Sequence, residues 1–424
     1  MRFLYNFFTY LLLIPLAIYW ISRSIGNRSY RDRLPQRFGF GFPKFQNSIW
    51  IHAVSVGEVQ AAVPLIHALM ERFPLQRIIL TTVTPTGASR VAELFGEKVV
   101  HCYMPFEFPN AIRSFFKSVK PRVAMIMETE IWPNLYHGCG IRNIPLILVS
   151  ARISPKSILG YRRLMSLIRE TLSHGIIIAA QTQADASRFL ELGADPERTY
   201  ITGNLKFDVE CDQAVFIRGK QLRNTLFACR PVWIAVSTHS GEEQKVLEAH
   251  RILLKAYPDL LLVMVPRHPE RFSEVRELIE NSSFTVMSRT DEQSDAISTE
   301  VFLVDTMGEV PLFFAASDVS FIGGSLVPIG GHNVLEPAVQ GLPIVTGPHL
   351  FNIEEIAADL IKQDACVVVA NGAELAAAVV ALLDDPDAAA MMGARGLKLV
   401  EQSRGSLRRL LVLLEPFIND QTMN

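Results

Sequence analysis

After Phe45 the chain alternates short, almost wholly apolar runs with longer amphipathic stretches, and it does so in two series. Such alternation is the signature of parallel α/β units, whose strands are buried on both faces. The first series offers strands at 48–54, 77–84, 99–105, 123–128, 145–151, 175–182 and 200–203. The second offers 232–237, 260–265, 301–305, 319–323, 343–346 and 366–370. Between them run helices with apolar stripes; in 59–73, Val63, Leu65, Ile66, Leu69 and Met70 recur at helical spacing. A chain of 424 residues exceeds one ordinary core, so the expectation is two doubly wound, Rossmann-like domains. Ligands of open parallel sheets bind beyond the carboxyl ends of the strands, which places the expected site in a cleft between two facing domains. The join is expected in a less regular segment at 204–230, and a last apolar helix at 407–418 reads as a packing helix. The domains are thus taken as 1–22, an N-terminal membrane anchor, 23–210 and 211–424.

Composition narrows the function classes. Lys and Arg total 41 against 43 for Asp and Glu, a net charge of -2, so a role coating nucleic acid has no global electrostatic support. The five cysteines, Cys102, Cys139, Cys211, Cys229 and Cys366, lack any Cys-x-x-Cys spacing. Neither a zinc site nor a disulfide framework is indicated, and reduced thiols suit the cytosol.

From Phe3 to Ile21 no side chain is charged, and at ~1.5 Å per residue this stretch approaches the thickness of a bilayer core. It ends in Tyr19, Trp20 and Ile21 without a small-residue cleavage pattern, so it reads as a retained anchor rather than a signal peptide. Arg23, Arg28, Arg31, Arg33 and Arg37 follow it, which by the positive-inside rule puts the body of the protein in the cytoplasm. Asn6, Thr9 and Pro15 leave an interfacial anchor open beside a spanning one. The arginines are either a juxtamembrane flank or ligands for anionic lipid headgroups or a phosphorylated lipid.

Conspicuous polar residues cluster after the strands. Ser55-Val56-Gly57-Glu58 puts Glu58 at a helix N-terminus, as a cap or as a base, and has no Gly-x-Gly-x-x-Gly fingerprint. Met127-Glu128-Thr129-Glu130-Ile131-Trp132-Pro133-Asn134 offers two carboxylates; Thr129 and Glu130 read as caps, which leaves Glu128 in need of a partner. Lys206, in Gly203-Asn204-Leu205-Lys206-Phe207, is a candidate for that partner or for an anionic substrate.

The second half reads as a nucleotide site. Ser237 to Glu243 opens a helix after a strand. Arg267 and Arg271, in Pro266-Arg267-His268-Pro269-Glu270-Arg271, supply forked donors for phosphate or carboxylate. Asp305-Thr306-Met307-Gly308-Glu309 follows the next strand, and Gly323-Gly324-Ser325 with Gly330-Gly331-His332-Asn333-Val334-Leu335-Glu336-Pro337 forms a glycine-rich loop whose amides are expected to approach a phosphate. Glu336 is placed to accept from ribose hydroxyls. No Asp-x-Asp pair follows a strand, Asp385-Pro386-Asp387 reads as a cap, and His52, His101, His239, His268 and His332 share no ligand spacing. They read as core or cap histidines, and no metal is expected.

Taken together, Ser55 to Glu58, Met127 to Asn134, Gly203 to Phe207, Ser237 to Glu243, Pro266 to Phe272, Asp305 to Glu309 and Gly330 to Pro337 resemble the motifs of the bacterial 3-deoxy-D-manno-octulosonic acid (Kdo) transferases, over essentially the whole chain. The resemblance implies a GT-B fold and an inverting glycosyltransferase that moves Kdo from CMP-Kdo to a lipid A precursor (lipid IVA) in the cytoplasmic leaflet, releasing CMP. It implies Glu58 as general base and Glu128 and Lys206 as transition-state stabilisers. Pro266, Arg267, Met307, Gly308, Glu309, Asn333, Val334, Leu335 and Glu336 would be CMP-binding residues, with CMP-Kdo a substrate and no cofactor. The irregular connection at 205–230 is the expected hinge. Other GT-B nucleotide-sugar transfer, or a membrane-tethered nucleotide-binding protein without catalysis, are the competing expectations.

Overall fold

The apolar runs become strands of two parallel sheets, almost wholly buried at the centre of each sheet and partly exposed at its edges. The computed structural model describes residues 2–26, 28–227, 230–291 and 299–419. Its first sheet holds β1 (Ser48–His52), β2 (Ile78–Thr82), β3 (Val100–Tyr103), β4 (Pro121–Met127), β5 (Leu146–Ala151), β6 (Ile177–Ala180) and β7 (Thr199–Ile201). They lie in the order β3-β2-β1-β4-β5-β6-β7. Alternate residues feed the two faces: Trp50 joins the core of one face with Phe115 and Phe116, and Ile49 and Ile51 join the other with Leu65 and Leu69.

The second sheet holds β8 (Val232–Thr238), β9 (Leu261–Pro266), β10 (Val286–Ser288), β11 (Val301–Leu303), β12 (Val319–Ile322), β13 (Ile344–Thr346) and β14 (Cys366–Val368). Their order is β10-β11-β9-β8-β12-β13-β14. Two parallel-sheet α/β domains are therefore present, as the alternation predicts. Strand β10 escaped the sequence reading: in Val286-Met287-Ser288 only two apolar residues are consecutive, so no run marks it.

The chain divides into two compact units, Met1–Asp208 with Arg404–Asn424, and Val209–Ser403. The expected second domain, 211–424, is corrected by this division. The last helix, Ser406–Asn419, buries Leu410, Leu414 and Ile418 in the first unit's core. Asp208 accepts the N–H groups of Gly405 and Leu407 at 2.6 and 2.5 Å, and Arg409 Nε donates to the Thr202 carbonyl at 2.8 Å. An apolar stripe says that a helix packs, not which sheet receives it. The join is also more regular than expected. It contains the helix Gln213–Leu226, capped by Asp212. This helix packs through Gly219, where an added Cβ would lie 2.4 Å from the Leu312 carbonyl, so contact is made by a missing side chain and leaves no apolar stripe to read. Asp385 caps the helix Pro386–Ser403 through the Ala388 N–H, as its spacing suggested. Cys229 lies outside the described residues.

At the N-terminus the uncharged stretch is two helices, Arg2–Leu11 and Leu13–Gly26, bent by 45° at the break. Among the described residues no single helix is long and apolar enough to cross a membrane; this bent pair has the length and composition to do so. One side is fixed to the first unit: Tyr10 stacks on Phe108, and the Tyr5 hydroxyl donates to Glu107. Phe3, Phe7, Phe8, Leu11, Leu12, Ile14 and Ile18 are exposed. Two of the five arginines are structural rather than lipid-facing. Arg37 is 1% exposed, with its guanidinium over the Trp20 and Tyr103 rings and donating to the Val83 carbonyl, and Arg33 donates to the His101 carbonyl. The side chain of Arg28 lies outside the described residues.

Candidate active site and nucleotide site

In the first sheet the strand order reverses between β1 and β4, the point where open α/β sheets form a crevice. Glu58 follows β1. It stands in the first turn of the helix Val56–Arg72, whose N-cap Ser55 makes no side-chain cap bond. Glu58 reaches back instead: its Oε2 accepts the Val54 N–H at 2.7 Å, so capping and a functional position coincide. Burial pushes its carboxyl up to about 8, and the nearby Glu128 and Glu130 add to this against the opposing Val54 N–H and Lys206.

Glu128 follows β4 and is 9% exposed, with a left-handed backbone (φ 57°) that a non-glycine residue adopts only at a cost. The partner it required is a pair: Lys206 Nζ reaches one carboxylate oxygen and Arg152 Nε the other, each at 2.9 Å. Burial alone would raise this carboxyl; Lys206 and Arg152 outweigh it and hold it below the ordinary range. Lys206 is set by the short turn Leu205–Phe207, whose Leu205 N–H donates to the buried Ser150 Oγ at the end of β5.

Arg152 was absent from the sequence-based candidates although it, too, directly follows a strand. That position was its only signal.

The expected caps Thr129 and Glu130 do not cap. Thr129 Oγ1 donates to the Arg152 carbonyl, and Glu130 accepts from Trp132 Nε1, both at 2.5 Å. The helix Pro133–Gly140 is capped from elsewhere, by Glu107, which accepts the N–H groups of Asn134 and Leu135 at 2.9 Å each. Long-range capping of this kind leaves no trace in local spacing.

In the second unit Arg267 directly follows β9. Among the described residues its guanidinium has no hydrogen-bonding or ionic partner, and its backbone N–H is held by the Thr238 carbonyl at 3.1 Å. Arg271, offered beside it for phosphate or carboxylate, takes carboxylates. It donates to the fully buried Glu243 at 2.6 Å and to Glu274 at 3.0 Å. After β11, Met307 is 65% exposed, Gly308 has a left-handed φ of 83°, and Glu309 is held by Arg289 at 3.1 Å through both of its oxygens. Asn333 Nδ2 donates to Glu336 Oε1 at 2.9 Å, and burial raises the Glu336 carboxyl. The side chains of Val334 and Leu335 are core, so these two offer backbone only.

The glycine-rich loop is not an open phosphate cradle. The amides of Gly324, Ser325 and Leu326 all donate to the buried Glu242, at 2.7, 3.1 and 2.9 Å. Gly330 and Gly331 both donate to the Gly324 carbonyl. An internal carboxylate occupies the nest that the sequence suggested for an external anion.

A family model described as 3-Deoxy-D-manno-octulosonic-acid transferase (kdotransferase) matches residues 32–209. A 3-deoxy-D-manno-octulosonic acid transferase of Haemophilus influenzae is 41% identical over 420 residues, covering 97% of this chain and 98% of its own. Among solved structures, the C-terminal CMP-Kdo binding domain of WaaA from Acinetobacter baumannii is 38% identical, with 45% of this chain and 100% of that one covered and a TM-score of 0.43. A glycosyltransferase from Rickettsia africae is 15% identical over 88% of this chain and 99% of its own, with a TM-score of 0.52, a likeness of fold.

Proposed function

Because the chain belongs to the 3-deoxy-D-manno-octulosonic acid transferases, glycosyltransferases with two α/β units of the GT-B class, we propose that it transfers Kdo from CMP-Kdo to a lipid A precursor with inversion at the anomeric carbon. The observation that carries the chemistry is the opposed setting of two carboxylates at one switch point. Glu58 is pushed up to about 8 while Glu128 is held low by two cations. Carboxyls driven apart in this way divide the labour. Glu58 takes the proton of the acceptor hydroxyl as its oxygen bonds to the anomeric carbon. The bond from that carbon to the phosphate oxygen breaks, and CMP leaves with the electron pair. Glu128 stays ionised and orients Lys206 and Arg152, whose charge favours the anionic groups around the reacting carbon.

In the second unit Arg267 supplies a cation for the nucleotide phosphate, supported by Pro266 and the 307–309 and 333–336 segments. No metal is invoked, since a monoester leaving group carries less charge than a diphosphate. The exposed apolar face of the N-terminal helices supports an interfacial or bent anchor on the inner membrane, with the body on the cytoplasmic side, where the acceptor lies. Purified protein given CMP-Kdo and lipid IVA should yield CMP and a Kdo-bearing lipid, and CMP should raise its melting temperature more than UMP or GMP. Absence of both products, beside an active transferase in the same detergent, would refute the assignment.

A further inference from the structure

The second sheet reverses its strand order between β8 and β12, and the loops leaving these two strands bring together histidines that share no spacing in the sequence. His239 follows β8 and His332 comes from the loop after β12. Their Nε2 atoms are 2.7 Å apart, with the rings parallel to within 5° and 5.0 Å between centroids. His268, following β9, stands edge-on to His239 at 5.3 Å. Glu242 fixes both loops at once, accepting the His239 N–H at 3.3 Å as well as the Gly324, Ser325 and Leu326 amides. Gly324 has φ 68°, and an added Cβ there would lie 2.8 Å from His332 Cδ2, so the ring rests on bare backbone. Spacing favours core or cap roles over metal binding for His239, His268 and His332; the fold sets the three rings together.

Two Nε2 atoms at this distance share one hydrogen, one ring donating and the other accepting. The pair keeps this bond with no net charge or with one extra proton, held on an outer nitrogen; a further proton would set two N–H groups against each other. The groups facing the pair are Arg267, Arg271 and His268. Arg271 is already matched by Glu243 and Glu274, Glu242 by its amides, and His268 has Glu270 at 3.8 Å. Arg267 remains without a partner among the described residues. Burial, with these cations, takes both rings down to about 4, which leaves the pair neutral. An anion bound at Arg267 reverses that balance, because it removes the repulsion and rewards a charged donor.

We propose that His239 and His332 are a proton-sharing pair that acts as a switchable cation of the donor site, taking up one proton when the phosphate of a cytidine nucleotide binds beside Arg267. This rests on the assignment of the cytidine nucleotide to the second unit. The switch suits the reaction, since cleavage of the anomeric carbon–oxygen bond leaves CMP with one more negative charge than it carried as a diester.

Calorimetric titration of the full-length protein with CMP, at about pH 8 in two buffers of different ionisation enthalpy, counts the protons taken up. About one proton is expected with CMP and none with cytidine, and CMP affinity should fall by up to about tenfold per pH unit above neutrality. In His239→Gln/His332→Gln the uptake should vanish. The buffer comparison on the unmodified protein needs no variant, so a misfolded variant does not rescue the idea. CMP binding with no uptake overturns the pair and leaves the transferase assignment standing; uptake that persists in the double variant puts the proton on the nucleotide and also overturns it. Failure of CMP to bind, while another nucleotide does, overturns the donor assignment beneath it.

Discussion

Replacing Glu58 by glutamine keeps the shape of the side chain and removes its charge, which isolates the two consequences of its environment. The carboxyl sits at about 8 in the folded protein against an ordinary 4.5. A general base works only when ionised, so kcat/KM should climb about tenfold per pH unit below about 8 and level off above it. At neutral pH roughly a tenth of the molecules hold the active form. E58Q should lie about 10²- to 10⁴-fold below the plateau, the usual contribution of a positioned base, while CMP binding, which draws on the second unit, is preserved.

The same shift has a stability signature. Between the two values the folded chain keeps a proton that the unfolded chain has released. The stability due to Glu58 is therefore complete below 4.5 and declines as pH rises towards about 8. The loss is about 1.4 kcal/mol per unit, approaching roughly 4 to 5 kcal/mol in all. Glutamine does not titrate here. Parent and E58Q should match within about 1 kcal/mol at about pH 5, the worth of the altered bond to the Val54 N–H, and E58Q should be the more stable at about pH 9. CMP release across this range and urea unfolding at the two ends measure both effects. A flat rate profile, or an E58Q variant less stable than the parent at alkaline pH, would refute the reasoning.

Three further outcomes are expected. Arg152→Met should leave Glu128 half-paired and cost about 2 to 4 kcal/mol in chemical denaturation; adding Glu128→Gln should restore much of the stability but not the turnover. Arg267→Ala should weaken CMP binding about 10- to 100-fold with little change in melting temperature, whereas Arg271→Ala should do the reverse by stranding the buried Glu243. Glu242→Ala should open the amides of Gly324, Ser325 and Leu326 at once and destabilise by about 2 to 4 kcal/mol; equal stability of this variant would show that water replaces the carboxylate.

The sequence by itself determined the two parallel sheets, the carboxyl-end positions of Glu58, Glu128 and Arg267, and the family. Strand burial is written in unbroken apolar runs, and a residue that follows such a run must emerge at the sheet's end. Pairings across the sheet were decided only by the fold. Spacing could not say that Lys206 and Arg152 share Glu128, that Arg271 belongs to Glu243, or that Glu242 fills the glycine loop, because these contacts join loops whose separation in the chain carries no period. The last helix went to the first unit, and His239 met His332, for the same reason: amphipathicity and residue type are local properties, while the choice of partner is made by the topology that brings strand ends together.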